Sequence, residues 1–465
     1  MENRQKQIAI CLTNPQEEYC RHFLDSLLQK AQAENIHLVV FSSPLDFYQS
    51  NTYEKGATAV YSLMNFDLLD GLFILDNTFM DKQLVKSLIA KAQQKNIPVV
   101  VLSGEYSGCY SILPDFDQAF GDLIRHVLDV HTPTDIRLIA GAEGSPDTEK
   151  KLAICKDIMQ QYNKELSDAA LAYCDNSADA VKQTVDTWIA AKKIPDCIIC
   201  ASDIMAAAAC DQLQVHGYRV PEDVIVTGFG NLPSLSLHTP ALTTCSPNMT
   251  ETTDTVFHLF QEAWSGDTAP HTVPETYKLV LSESCGCTSL EQTIPREDGA
   301  LLSQWMASAY EHESFLYSWV NRLLADDETD LKKDTLEQII LPNSLLLLNQ
   351  EHASKAVLLP KDIVHPFTKQ LAIINGPGSH VTTGTGTLAA EELLPTLEAT
   401  ASSSMTILQS VYINDRCCGC IAVHTDNIHR TSHLLHRLVH ILNLAFSVVD
   451  SRNRHAHAMA ELMQA

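Results

Sequence analysis

From Ile8 to Ser284 the chain alternates short apolar runs with amphipathic stretches. The runs at 8–12, 37–41, 69–75, 97–102, 136–140, 171–173, 198–201 and 224–227 are predicted as strands, because they are too short for stable helices. Between them, 19–35, 84–95, 117–131, 147–162, 178–192 and 250–264 read as helices. In the first, Phe23, Leu24, Leu27, Leu28 and Ala31 share one face at helical spacing. Strand–helix alternation predicts parallel sheets covered by helices, an α/β class.

The most informative stretch runs from Pro195 to Asn231. Residues 198–201 are apolar enough for a fully buried strand. Ser202 or Asp203 supplies a side-chain oxygen to cap the next helix. Gly217 ends that helix with the left-handed backbone that glycine adopts freely. Residues 224–227 form the next strand, completing one βαβ unit whose polar loops lie at the strand carboxyl ends.

Two segments carry a resemblance to the effector-binding domain of the LacI/GalR repressor family, which has the periplasmic-binding-protein fold. They are Ala201-Ser202-Asp203-Ile204-Met205-Ala206, and Gly217-Tyr218-Arg219-Val220-Pro221-Glu222-Asp223-Val224 followed by Gly228-Phe229. The strand Leu69-Asp70-Gly71-Leu72-Phe73-Ile74-Leu75 is similar to the family's Asp-Gly strand. The resemblance covers about residues 7–287 and implies a two-lobed type I clamp of doubly wound parallel sheets. Lobe one would span about 1–130 and 248–287, and lobe two about 131–247. Ligands in such sheets sit outside the strand carboxyl ends, and the resemblance places them between the lobes.

Candidate ligand-binding residues are those in loops after strands. They are Thr13, Asn14, Asp76, Glu105 and Asp115 from lobe one, and Lys151, Ser202, Asp203 and Asn231 from lobe two. Together they offer the fixed donors and acceptors that a sugar-like metabolite needs. The sequence departs from the family at four of its usual positions. Lys151 and Ile154 stand for its arginine and glycine, Ser202 for its asparagine, and Gly230 for its aspartate after Gly-Phe.

Beyond Ser284-Cys285-Gly286-Cys287, residues 288–330 read as a linker and a signalling helix, the helix at 301–324. Residues 331–428 mix short helices and strands, with strand candidates at 357–359, 406–413 and 418–424 and a turn at Asn414-Asp415. This layout resembles the α+β GAF-like module placed between such clamps and a diguanylate cyclase (GGDEF) output. A C-terminal signalling helix fills 429–465. On it Leu434, Leu435, Leu438, Ile441, Leu442, Ala445, Val448 and Val449 fall within about 140° of arc at 100° per residue. His429, His433, His436 and His440 fall opposite, within about 60°, as a polar helix face.

Net charge is −25 over 465 residues, against the basic surface that nucleic-acid binding requires. The first strand begins at Ile8, leaving no room for the family's amino-terminal helix-turn-helix, so no direct nucleic-acid contact is expected. No apolar run approaches a membrane span, and a cytoplasmic protein is expected. The fourteen cysteines read as reduced thiols. Cys197 and Cys200, three apart in a strand, point to opposite faces as core thiols. Cys285, Cys287, Cys417, Cys418 and Cys420 would make a zinc site only if their segments met, and no metal or cofactor is expected. Gly376-Pro377-Gly378 and Gly384-Thr385-Gly386-Thr387 lack a following lysine and read as loops rather than P-loops.

No catalytic signature stands out, so the expectation is a non-enzymatic, homodimeric regulator that binds a small polar metabolite and signals to a C-terminal module or a separate output protein. Alternatives are the sensory part of a diguanylate cyclase whose catalytic domain lies beyond this chain, or a degenerate sensor acting as a scaffold. A further one is a transcription regulator acting through a DNA-binding partner.

Overall fold

The computed structural model describes residues 5–44, 54–235, 238–266, 269–287, 336, 340–349, 370–376, 379, 381, 387–400, 404–413 and 416–464. The expected linker and helix at 288–330, the strand at 357–359, the turn at Asn414-Asp415 and the glycine-rich stretch at 384–386 lie outside them. The chain forms two compact units. One comprises Met1–Ile112, Thr253–Thr272 and Glu297–Ala465, and the other Leu113–Thr252 and Val273–Arg296.

The first unit opens with β1 (Lys6–Thr13), α1 (Glu18–Glu34), β2 (Ile36–Ser43), a short α2 (Glu54–Ala57), β3 (Gly71–Leu75), α3 (Lys82–Gln94) and β4 (Val99–Leu102). Strand β5 (Tyr110–Pro114) carries the chain into the second unit. There follow α4 (Phe116–His126), β6 (Ile136–Ala140), α5 (Pro146–Gln161), β7 (Leu171–Tyr173), α6 (Ala178–Ala190), β8 (Cys197–Cys200), α7 (Asp203–Val215), β9 (Ile225–Thr227) and β10 (Thr244–Pro247). Helix α8 (Met249–Ser265) returns to the first unit, β11 (Thr272–Glu275) crosses again, and β12 (Tyr277–Val280) closes the second. The first unit then adds β13 (Ser344–Asn349), β14 (Gln370–Asn375), β15 (Thr387–Ala389), α9 (Leu393–Thr400), β16 (Met405–Ile413), β17 (Arg416–Thr425) and α10 (Ile428–Gln464).

In the second unit β7-β6-β8-β9 form a parallel sheet, and β10 pairs antiparallel with β12. Strand β8 is central and buried along its whole length, as its apolar run requires. Its two thiols face opposite sides as expected. Cys197 joins the core of Phe116, Phe120 and Phe229, while Cys200 joins that of α7. Ser202 caps α7, its hydroxyl accepting from the Met205 N–H at 3.4 Å. Gly217, at φ +83°, follows the end of the helix.

In the first unit the parallel strands β5-β4-β3-β1-β2 continue through a parallel β2–β16 pairing into the antiparallel run β16-β17-β13-β14-β15. Residues expected as a module of their own thus share one sheet with the amino-terminal strands. Without β16, β2 would present a long apolar edge, which folded sheets cover. Besides the ladder, His37 Nε2 lies 3.2 Å from Thr406 Oγ1, and Ser42 Oγ donates to the Leu408 carbonyl at 3.1 Å. Cys417 and Cys420 on β17 are core thiols of this unit.

Helix α10 buries Leu435, Leu438, Ile441, Leu442, Ala445 and also Phe446. Its histidine face is not simply solvated. His429 meets His22 of α1 edge-on at 4.8 Å between ring centres, and His436 Nε2 lies 3.5 Å from Gln16 Nε2. Helix α1 covers the face that the pattern assigns to water. Among the described residues no helix is long and apolar enough to cross a membrane.

Candidate ligand site

In the second unit the expected residues gather at the carboxyl ends of β8 and β9. Lys151, one turn into α5, donates its ammonium to the Ala201 carbonyl at 3.1 Å. Three aromatic rings surround that ammonium: Phe229 at 3.8 Å, Phe116 at 4.9 Å and Phe120 at 5.8 Å to the ring centres. Burial lowers the Lys151 pKa from 10.5 to about 8, against the opposing pull of Asp147, Cys245 and Asp203. The rings favour the charged form, because their negative faces attract a cation.

Asp203 is buried at 1% exposure and is not the helix cap. Its Oδ1 accepts from Thr244 Oγ1 at 2.6 Å and its Oδ2 from the Leu232 N–H at 2.9 Å. Burial pushes its carboxyl pKa up, and these bonds oppose the shift. The carboxylate thereby latches the loop after β9 to β10. Gly228 leaves it room, since a Cβ there would stand 2.2 Å from Asp203 Oδ1. Asn231, left-handed at φ 51°, extends its amide to Ser246 Oγ at 3.2 Å. Asp115 caps α4 by accepting from the Gln118 N–H at 3.1 Å.

In the first unit Thr13, Asn14, Asp76 and Glu105 follow the carboxyl ends of the adjacent strands β1, β3 and β4. The Thr13 N–H donates to Thr78 Oγ1 at 3.0 Å, and its hydroxyl donates to the Thr78 carbonyl. Asp76 is buried with both oxygens engaged, Oδ1 by the Tyr106 hydroxyl at 2.6 Å and Oδ2 by Lys82 Nζ at 2.7 Å. Burial, and then Asp76, hold the Tyr106 hydroxyl well above its ordinary range. Asn14 adopts φ 53°, and its buried Oδ1 meets no hydrogen-bond donor among the described residues. Glu105 accepts from Thr272 Oγ1 at 3.2 Å and lines a 340 Å³ pocket with Tyr106, Ser107, Ser111 and His271.

Residues 133–285 match the family described as periplasmic binding protein-like domain. The match spans 153 residues, about a third of the chain. The chain is similar to the HTH-type transcriptional repressor PurR of Erwinia tasmaniensis, at 24% identity over 283 residues, 60% of this chain and 79% of that protein. It is similar to the probable HTH-type transcriptional repressor ExuR of Bacillus subtilis at 23% over 201 residues, 42% of this chain and 58% of ExuR. The chain thus spans little more than half the length of ExuR. Among solved structures, the lac repressor dimer bound to operator and the anti-inducer ONPF matches with a TM-score of 0.51 at 18% identity, covering 62% of this chain and 96% of that one. The transcriptional regulator CelR in complex with cellobiose matches at 0.50 and 17%, covering 61% and 86%. These likenesses establish a type I periplasmic-binding-protein-like, mixed α/β fold. PurR, ExuR and the lac repressor are named as repressors and CelR as a transcriptional regulator, which fits a non-enzymatic protein and lends nothing to the diguanylate cyclase alternative.

The sequence did not single out Phe116, Phe120, Thr244 or Ser246, which complete the second unit's cluster. Phe116 and Phe120 lie four apart on one face of α4, a spacing that marks a core face as readily as a cation cage.

Proposed function

We propose that the chain is a ligand-responsive regulator whose first step is capture of a small, hydroxyl-rich metabolite at the strand carboxyl ends. The observation that carries this reading is Asn14. A buried acceptor without a donor costs about 1–3 kcal/mol unless something satisfies it, and it stands in the loop where sheets of this class take ligands. Asn231 adds an exposed amide at the strand carboxyl ends of the second unit. Names of relatives as repressors, and the cellobiose in the CelR structure, support a sugar-like ligand and a regulatory output. The dimeric lac repressor supports a homodimer.

Ligand binding would shift a pre-existing equilibrium by no more than its difference in affinity for the two states. Because β16 extends the sheet from β2, residues 331–428 act in this reading as the GAF-like relay to α10 and an output beyond it. The net charge of −25 argues against direct nucleic-acid contact, whereas the lac repressor structure holds operator DNA. A gel-shift assay with genomic fragments decides that point.

The primary test is a thermal-shift screen of the full chain with mono- and disaccharides, uronic acids and purines, since a ligand specific to the folded state raises Tm. A hit that Asn14→Ala abolishes supports the reading. A well-folded chain with no hit in any class, or hits untouched by Asn14→Ala and Asn231→Ala alike, overturns it.

A further inference from the structure

A second constellation lies in the second unit, and none of its members is among the candidate ligand residues. His126 ends α4, and His131 ends the five-residue π-helical segment Val127–His131 that follows. Cys285 and Cys287 flank Gly286 in the turn after β12. The four side-chain ligand atoms all lie within 4.8 Å of one another. The two Nε2 atoms of His126 and His131 are 3.3 Å apart. Cys285 Sγ is 3.7 Å from His126 Nε2, and Cys287 Sγ is 3.4 Å from His131 Nε2.

These spacings are the edges of a metal tetrahedron. Zinc takes nitrogen at about 2.0–2.1 Å and sulfur at about 2.3 Å. Multiplied by the tetrahedral edge-to-radius ratio, those bonds give edges of roughly 3.3–3.4 Å between nitrogens and roughly 3.5 Å between nitrogen and sulfur. The three separations given, 3.3, 3.7 and 3.4 Å, lie within about 0.2 Å of these values, and all four atoms stay within 4.8 Å of one another.

The local backbone is shaped for the same end. In a regular α-helix residues five apart point about 140° away from each other. The wider π turn brings His131 beneath His126, and such insertions in helices recur at functional sites. Gly286 takes φ +83°, the left-handed conformation that suits glycine, and so turns both thiols the same way. The Thr243 hydroxyl donates to Cys285 Sγ at 3.0 Å, the kind of outer-shell bond that orients and tunes a metal thiolate.

We propose that His126, His131, Cys285 and Cys287 bind one zinc ion in a closed, structural Cys₂His₂ site. Binding releases the two thiol protons to solvent and changes no oxidation state. With four protein ligands no position is left for substrate, so the ion acts as a clasp. It ties the chain, where it leaves β12 toward residue 288, to the end of α4. The same helix carries Asp115, Phe116 and Phe120 at its other end, so the clasp fixes the helix that frames Lys151. The proposal stands independently of any metabolite bound elsewhere.

The test uses the full chain, purified under reducing conditions and stripped with chelator, then titrated with Co²⁺ as a spectroscopic stand-in for zinc. One cobalt per chain is expected, with the visible bands of tetrahedral Co²⁺, thiolate-to-cobalt charge transfer in the near ultraviolet, and bleaching of both by equimolar zinc. Cys287→Ser and His131→Gln should each weaken binding by more than the roughly 10–100-fold that loss of an outer-shell partner costs. Cys109→Ser, outside the cluster, should leave the spectrum unchanged. A folded wild-type chain without charge-transfer bands overturns the site, as does a Cys285→Ser/Cys287→Ser double variant that keeps the wild-type spectrum. The wild-type titration decides alone if a variant fails to fold. A Cys285–Cys287 disulfide that persists after reduction and blocks cobalt also counts against it.

Discussion

The ammonium of Lys151 stands 3.8 Å above the ring of Phe229, inside the second unit's core rather than in open solvent. Two opposing effects set its energetics. Burial disfavours the charge, and the fall in pKa from 10.5 to about 8 corresponds to up to about 3 kcal/mol. The aromatic rings return about 2 kcal/mol of that when desolvated. Between pH 8 and 10.5 the unfolded chain holds a proton on Lys151 that the folded chain has released, so this residue's own contribution to stability rises with pH across the window. Lys151→Met keeps the shape and removes the titration. Urea unfolding at pH 7.5, 8.5 and 9.5 should show wild type gaining stability relative to Lys151→Met, on top of the loss that the buried thiols, with their raised pKa values, impose on both. Parallel curves would mean that the rings hold the ammonium charged throughout.

The Asp203 carboxylate bonds Thr244 and the Leu232 N–H. Asp203→Ala strands both donors in the interior and removes charge-assisted bonds, at a cost of about 3 kcal/mol in unfolding free energy. Gly228→Ala should destabilise through the same latch, because its Cβ collides with Oδ1 and with the Asp203 backbone. In the Asp203→Ala background the Gly228→Ala penalty should shrink, since the colliding oxygen is gone. Chemical denaturation of the two single variants and the double variant measures the coupling. Strict additivity would show that the latch is not the cause.

Asp115 tests whether a loop carboxylate serves the helix or a ligand. As the cap of α4, its replacement by alanine should cost about 1 kcal/mol of stability whether or not a ligand is present. Asp115→Asn, which keeps a capping oxygen, should restore most of that loss. If both variants unfold like wild type yet abolish a ligand-induced thermal shift, the residue works as a binding group.

These residues also mark what the sequence could and could not show. The strand–cap–helix–glycine order around Ser202 and Gly217 was legible because each step is local: an apolar run, a hydroxyl, a left-handed turn. The opposite facing of Cys197 and Cys200 followed from the two-residue period of a strand. Asp203 was misassigned as an alternative cap because its partner Thr244 lies forty-one positions away. The β2–β16 pairing was invisible for the same reason, since strand pattern identifies a strand and not its neighbour. The His126–His131 approach was hidden because helical periodicity presumes 3.6 residues per turn, which the π segment breaks.

The histidines of α10 carry the last prediction. His22 and His429 meet between α1 and α10, with Glu18, Arg21 and Asp25 around them. Burial lowers the pKa of both, and it lowers that of His436 to about 4, with His440, His433 and Arg437 adding to the effect. The folded helices therefore hold neutral rings where the unfolded chain, at about 6.5, holds protonated ones. Stability from this contact is complete above about pH 6.5 and is lost as pH falls from there toward 4, because the unfolded state takes up the extra protons. Hydrogen exchange of the α10 amides at pH 7.5, 6.0 and 5.0 should show this helix losing protection before β1, β3 and β4. His436→Gln keeps a polar group beside Gln16 without titrating, and it should flatten the loss between pH 6 and 5. An α10 that keeps equal protection at all three pH values, in wild type and variant alike, would show that the neutral rings do not govern its docking on α1.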